Sequence, residues 1–83
     1  MINFTTIALE QLEYWATNDK KTCIRIFRLI NESIKNPFSG IGKPEPLKGN
    51  FKGYWSRRID DENRLIYKFE DGELIIHSCR FHY

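Results

Sequence analysis

No stretch of this 83-residue chain approaches the roughly 20 consecutive apolar residues that span a bilayer, so a membrane-crossing helix is excluded by length. No basic-then-hydrophobic leader with a small-residue cleavage site opens it, and a cytoplasmic protein is expected. Two cysteines and two histidines are present without a Cys-x-x-Cys or a close Cys-His pair to seed a tetrahedral zinc site, so no metal and no other cofactor is expected. Cys23 falls within a helical apolar pattern and Cys79 within a strand, which predicts two reduced, buried thiols rather than a disulfide. A net charge of +2 is too small to mark a nucleic-acid binder by itself. Repeats, low-complexity segments and signs of a second domain are absent, and residues 1–83 are expected to form one domain. A domain of this size buries only a little over half of its unfolded surface, so marginal stability or help from a partner is expected.

What is there is a short alternation of periods. Ile2-Asn3-Phe4 reads as a first strand, and Thr6 is a capping residue for a helix bearing Ala8, Leu12, Trp15 and Ala16 on one side. Asn18-Asp19 interrupts it, and Asp19 is suited to cap a second helix. There Cys23, Ile26, Phe27, Ile30 and Ile34 keep a 3.6-residue period, Lys35 suits the last turn and Pro37 forbids continuation. Residues 37–49 hold three prolines and three glycines, which predicts an ordered loop rather than an element. Three strand-like runs follow, Phe51 to Ile59, Asn63 to Phe69 and Glu73 to Phe81, the last two joined by Asp71-Gly72, a strong hairpin turn.

Alternation sorts the late strands into two faces. Trp55, Ile59, Leu65, Tyr67, Phe69, Ile75, Cys79 and Phe81 are expected under the helices, with His77 turned the same way as a partly buried, hydrogen-bonded histidine. Tyr54, Ser56, Arg58, Arg64, Lys68, Ser78, Arg80 and His82 are expected on the other face, so arginines from three strands converge there. Lys43, Lys48, Lys52, Arg57 and Arg58 occupy a window whose single acid is Glu45, with Asp60, Asp61 and Glu62 following in a turn. Like charges gathered this way are either screened by solvent or arranged for an anion, and a phosphodiester backbone is the natural polyanion.

Such a face has the parts for metal-free RNA cleavage. The ribose 2′-hydroxyl attacks the adjacent phosphorus once a base takes its proton, an acid protonates the departing 5′-oxygen and a cation steadies the phosphate. His82, with an ordinary pKa near 6.5, is the candidate acid. Glu45 is the carboxylate best placed in sequence to serve as base; an ordinary glutamate pKa of about 4.3 makes it a weak one. Electrostatic stabilisation must then carry much of the rate, with Arg64 the candidate cation. Tyr83 is read as either a base-stacking group or a frayed terminal aromatic.

Four segments carry a specific likeness: Gly42-Lys43-Pro44-Glu45-Pro46-Leu47-Lys48, then Gly53-Tyr54-Trp55-Ser56-Arg57-Arg58-Ile59, then Arg64-Leu65 with Tyr67, and the ending Cys79-Arg80-Phe81-His82-Tyr83. In order and separation they closely resemble the YoeB/Txe branch of the RelE-like bacterial toxins, over essentially the whole chain. The resemblance implies an α+β fold of two N-terminal helices packed on a small, mostly antiparallel twisted sheet. It also implies a toxin of a type II toxin–antitoxin system, a ribosome-dependent endoribonuclease that cuts translated messenger in the ribosomal A site. Its implied partners are the ribosome, mRNA and a YefM-like antitoxin, with a homodimer or a toxin–antitoxin heterotrimer as candidate assemblies.

By the same resemblance Glu45 stands at the position of the general base, Arg64 at the phosphate-stabilising arginine, His82 at the general acid and Tyr83 at the terminal tyrosine that orders the substrate. Lys48 and Arg58 match basic residues lining the site; Lys43, Lys52, Arg57 and Arg80 complete the expected RNA- or ribosome-binding set. Phe81 and Lys52 depart from residues common in relatives, and neither departure removes a proton-transferring group. The alternative left open by sequence is a non-catalytic RNA- or ribosome-binding module that blocks translation by occupancy. A DNA-binding repressor is disfavoured, because no short turn and basic recognition helix follow the second helix.

Overall fold

The computed structural model describes residues 1–81. The chain runs β1 (Ile2–Phe4), α1 (Thr6–Asn18), α2 (Lys20–Lys35), β2 (Glu45–Pro46), a single 3-10 turn (Gly49–Phe51), β3 (Trp55–Arg58), β4 (Arg64–Glu70) and β5 (Glu73–Ser78). The five strands form one sheet in the order β1-β5-β4-β3-β2, with β1 parallel to β5 and every other pairing antiparallel. The expected α+β architecture, two N-terminal helices on a mostly antiparallel sheet, is the one observed. No described helix is long and apolar enough to cross a membrane.

Local chemistry sets the helix ends. Thr5, not Thr6, caps α1: its extended backbone lets the hydroxyl accept from the Ala8 N–H while donating to the His77 carbonyl, so one side chain starts the helix and ties it to β5. Asp19 caps α2 as expected, accepting from the Thr22 N–H and hydroxyl. Those bonds favour the carboxylate and hold the Asp19 carboxyl below its ordinary range.

One core lies between the helices and the inner face of the sheet. Ala8, Leu12 and Trp15 from α1 and Cys23, Ile26, Leu29 and Ile30 from α2 meet Ile59, Leu65, Tyr67, Leu74, Ile76 and Cys79. The buried stripe of α2 is rotated from the expected one: Leu29 and Ser33 face inward, whereas Phe27 is 49% and Ile34 42% exposed. Ser33 can take that place because its hydroxyl donates to the Leu29 carbonyl within the helix. Ala16 is exposed as well.

The pattern of β5 also differs. Leu74 and Ile76, not Ile75, join the core, and a register shift opposite Ile66 and Tyr67 leaves His77 as an extra residue before Ser78 and Cys79. That bulge reverses the inside-outside order once along the strand. His77 therefore packs edge-on against Phe51 and Tyr54 rather than under the helices. Phe81 is likewise outside the core, 61% exposed and with φ +66°. The hairpin turn is as expected, with Asp71 and Gly72 both at positive φ. The loop of residues 37–49 contains one feature that sequence did not show, the two-residue strand β2, which pairs Glu45 with Ser56 and Pro46 with Trp55.

Candidate active site

The short pairing of β2 with β3 brings Glu45 across from Ser56, on the sheet face away from the helices. Arg58, two residues along β3 from Ser56, and Arg64, at the start of β4, point to that same face because strand side chains alternate. The result is a concavity of about 320 Å³ lined by Lys43, Glu45, Leu47, Ser56, Arg58, Arg64 and Ile66. Its rim is charged and its floor is apolar: Ile66 is buried although it lies outside the helix-covered core. Leu47, Ser56 and Ile66 were not among the expected site residues, although Ile66 could have been found as the residue between Arg64 and Lys68 on one strand face.

The cations are held to different degrees. One guanidinium nitrogen of Arg64 donates to the carbonyls of Asp60 (2.7 Å) and Asn63 (3.0 Å), fixing the head over the β3–β4 turn. That turn is wound about the Asp60 carboxylate, which accepts from the Glu62 and Asn63 N–H groups and from the Asn63 amide. Arg58 forms an exposed ion pair with Asp61 at 2.8 Å, so its charge is partly answered by the acidic turn. An exposed pair of this kind is worth about 0–1 kcal/mol and yields readily to a stronger anion. Lys43 reaches the concavity from a residue at φ +50°. Lys48 and Lys52 are exposed on either side of the 3-10 turn and do not line it.

Two expected members of the basic set lie elsewhere. Arg57 is fully buried on the inner face of β3, with its donors spent on Tyr67 Oη and on the carbonyls of Asn36, Ser39 and Ile41, so it is withdrawn as an RNA contact. Its alternation with Trp55 and Ile59 was the signal that could have placed it there. Arg80 does not join Arg58 and Arg64 either. Its guanidinium stacks on the Tyr14 ring at 3.4 Å, with Trp15 and Phe81 nearby, on the α1 side of the molecule. Strand β5 ends at Ser78, so Arg80 lies beyond the ladder whose alternation would have carried it across.

His82 and Tyr83 lie outside the described residues. The backbone leading to them is firmly placed: the Arg64 N–H donates to the Phe81 carbonyl at 2.9 Å, and Phe81 N–H donates to the Asn63 side chain at 2.7 Å. From the helix side, the Trp15 indole donates to the Cys79 carbonyl and the Gln11 amide oxygen accepts from the Cys79 N–H. Helix α1 and the start of β4 thus fasten the final segment from two directions. Cys79 is buried among these contacts, and the loss of water pushes its thiol up to about 12. Both cysteines are free and buried, as expected.

This geometry has counterparts. The family described as "YoeB-like toxin of bacterial type II toxin-antitoxin system" matches residues 4–83. Toxin YoeB of Mycobacterium bovis is 54% identical over 82 residues, covering 99% of this chain and 96% of that protein. Among solved structures, the YoeB/ParE toxin from Agrobacterium tumefaciens superposes with a TM-score of 0.96 at 42% identity, covering 99% of this chain and 98% of its own. The toxin chain in the heterotetrameric YoeB-YefM complex from Staphylococcus aureus gives a TM-score of 0.92 at 44% identity, covering 100% and 97%. Matched along nearly its full length in sequence and in overall fold, the chain belongs to the YoeB-like toxins of bacterial type II toxin–antitoxin systems.

Proposed function

We propose that this chain is a ribosome-dependent endoribonuclease that inhibits translation by cutting messenger in the ribosomal A site, its residues 1–83 acting as one toxin domain. The observation that carries the reading is the convergence of Glu45, Arg64, Arg58 and Lys43 on one open concavity, from three successive strands and the loop before them. An exposed carboxylate beside an ordered arginine is the arrangement that in-line phosphoryl chemistry needs from a protein.

In this mechanism Glu45 takes the proton of the 2′-hydroxyl as the oxygen attacks the adjacent phosphorus. Arg64 neutralises the charge gathering on the phosphate oxygens, helped by Arg58 once the anion displaces Asp61. The bond from phosphorus to the 5′-oxygen breaks and His82 gives that oxygen a proton. The products are a 2′,3′-cyclic phosphate and a 5′-hydroxyl, and no redox partner or metal is called for by the atom balance. Tyr83 orders the substrate, and Lys48 and Lys52 offer charge to the RNA or ribosome beside the site. The concavity is open to water, so the ribosome supplies part of the catalysis by holding the messenger near the in-line geometry.

The proposed physiological partner is a YefM-like antitoxin, as in the YoeB-YefM complex, in the cytoplasm where translation proceeds. An acidic antitoxin segment laid over Arg58 and Arg64 would compete with RNA for the same cations. Arg80, stacked on α1, would not take part from that side. Product analysis on programmed ribosomes tests the reading. Messenger with a new 5′-hydroxyl end and a cyclic or 3′-phosphate supports it, whereas arrested ribosomes carrying intact messenger would make the protein a non-catalytic blocker.

A further inference from the structure

The strand that supplies Ser56 and Arg58 to the site carries between them a residue with an unusual environment. Arg57 has no solvent exposure, and among the described residues none of its partners is a carboxylate. Burying a charge costs several kcal/mol unless hydrogen bonds replace its water shell. Here the replacement comes almost wholly from one loop. The guanidinium donates to the carbonyls of Asn36, Ser39 and Ile41, and its Nε donates to the Tyr67 hydroxyl at 3.0 Å. Tyr67 Oη in turn donates to the carbonyl of Pro37 at 2.7 Å. Burial raises the Tyr67 phenol above its ordinary value, and Arg57 only partly offsets this, so the hydroxyl keeps the proton it donates.

Residues 36–41 are therefore wrapped around a fork and a hydroxyl that both belong to the sheet. The next residue, Gly42, closes the wrap: its carbonyl accepts from the Arg58 N–H, and a Cβ at that position would lie 2.9 Å from Leu29 and 3.1 Å from the Arg57 side chain. Lys43 and Glu45 follow immediately and enter the concavity. Phe38 gives the loop one apolar anchor, its ring packed on Trp55 and near Phe69, and the path of the backbone around it follows this clamp.

We propose that Arg57 and Tyr67 form a positioning pair for Glu45, setting from beneath the sheet where the carboxylate stands above it. Neither touches the reacting atoms. The inference rests on the proposed role of Glu45 as base. A guanidinium fork can satisfy three carbonyls at fixed angles, whereas a lysine ammonium in its place keeps the charge but not that geometry. Arg57→Lys should leave the fold standing and let residues 36–45 relax, and a displacement of about 1 Å in a reacting group costs on the order of 100-fold in rate.

The test combines a double-mutant cycle with hydrogen exchange. On programmed ribosomes, Arg57→Lys is expected to lower the single-turnover cleavage rate about 100-fold at unchanged ribosome affinity. Adding it to Glu45→Ala should cost little more than Glu45→Ala alone, since a misplaced base and a missing base are the same defect. Tyr67→Phe, which removes only the hydroxyl, should act in the same direction and more weakly. Independently of activity, amide exchange in residues 38–45 should accelerate in Arg57→Lys while β4 and β5 stay protected. Multiplicative losses in the cycle, or exchange in 38–45 that does not change, would overturn the proposal. If Glu45→Ala proves fully active, the base assignment fails, and the exchange result alone then decides whether the clamp sets the loop.

Discussion

If Arg64 steadies the phosphate as proposed, Arg64→Ala should separate catalysis from folding, because the structure bounds what the side chain does for the fold. Its structural part is two bonds from one nitrogen to the Asp60 and Asn63 carbonyls, at a half-exposed position. A net hydrogen bond contributes about 0.5–1.5 kcal/mol, and water can reach these carbonyls once the side chain is gone, so a loss of about 1 kcal/mol in total is expected. For a domain of this size that is roughly 4–8 °C in Tm. The backbone bond from Arg64 N–H to the Phe81 carbonyl survives the substitution, so the final segment stays tied. If the domain is stable by about 5 kcal/mol, the variant would remain folded in all but about one molecule in a thousand. Loss of a preorganised group facing the phosphate costs about 100- to 1,000-fold, far more than unfolding can explain. The assay is single-turnover cleavage on programmed ribosomes, run at least about 10 °C below the variant's Tm, beside a thermal melt of both proteins. Arg64→Lys, which keeps charge but loses the fork, should fall between. Near-wild-type cleavage by folded Arg64→Ala, or a collapse in Tm that tracks the lost activity, would refute the reasoning and leave Arg64 as a brace for the β3–β4 turn.

The other expectations can be checked on the same preparations. His82→Ala should lower cleavage about 100- to 10,000-fold, the usual worth of a proton donor, with ribosome association preserved in a co-sedimentation assay. Gly42→Ala should destabilise the protein by at least about 1 kcal/mol, seen as a lower urea midpoint, because φ +82° is strained for alanine and its Cβ would press on Leu29. Cys79 has a folded-state pKa raised from 9.0 to about 12, so its contribution to stability is complete below about pH 9 and is lost as the pH climbs toward 12. Urea midpoints between pH 8 and 11 should therefore fall, and fall less in Cys79→Ala. A residual slope should remain, since Tyr67 is shifted in the same direction.

Sequence by itself determined the parts of this protein that depend on short-range chemistry. Asp19 and Pro37 bound the second helix through capping and the missing N–H, and Asp71-Gly72 fixes a hairpin through its tolerance of positive φ. The two buried thiols, the helix-then-strand order and the likeness of the Gly42–Lys48, Gly53–Ile59, Arg64-Leu65 with Tyr67, and Cys79–Tyr83 segments to one toxin family were legible for the same reason. Inside-outside order held wherever strands were regular, as at Trp55, Leu65, Tyr67 and Phe69. Tertiary structure decided the rest, because it depends on pairings between distant residues. A single bulge at His77 put Ile76 rather than Ile75 in the core, and the end of β5 at Ser78 released Arg80 to stack on Tyr14 instead of joining Arg58 and Arg64. Glu45 is placed by a two-residue strand, and the loop before it is gathered by a buried arginine bound to three carbonyls and the Tyr67 hydroxyl. Carbonyls are identical in every residue, so no pattern of side chains along the chain could announce which of them Arg57 would gather.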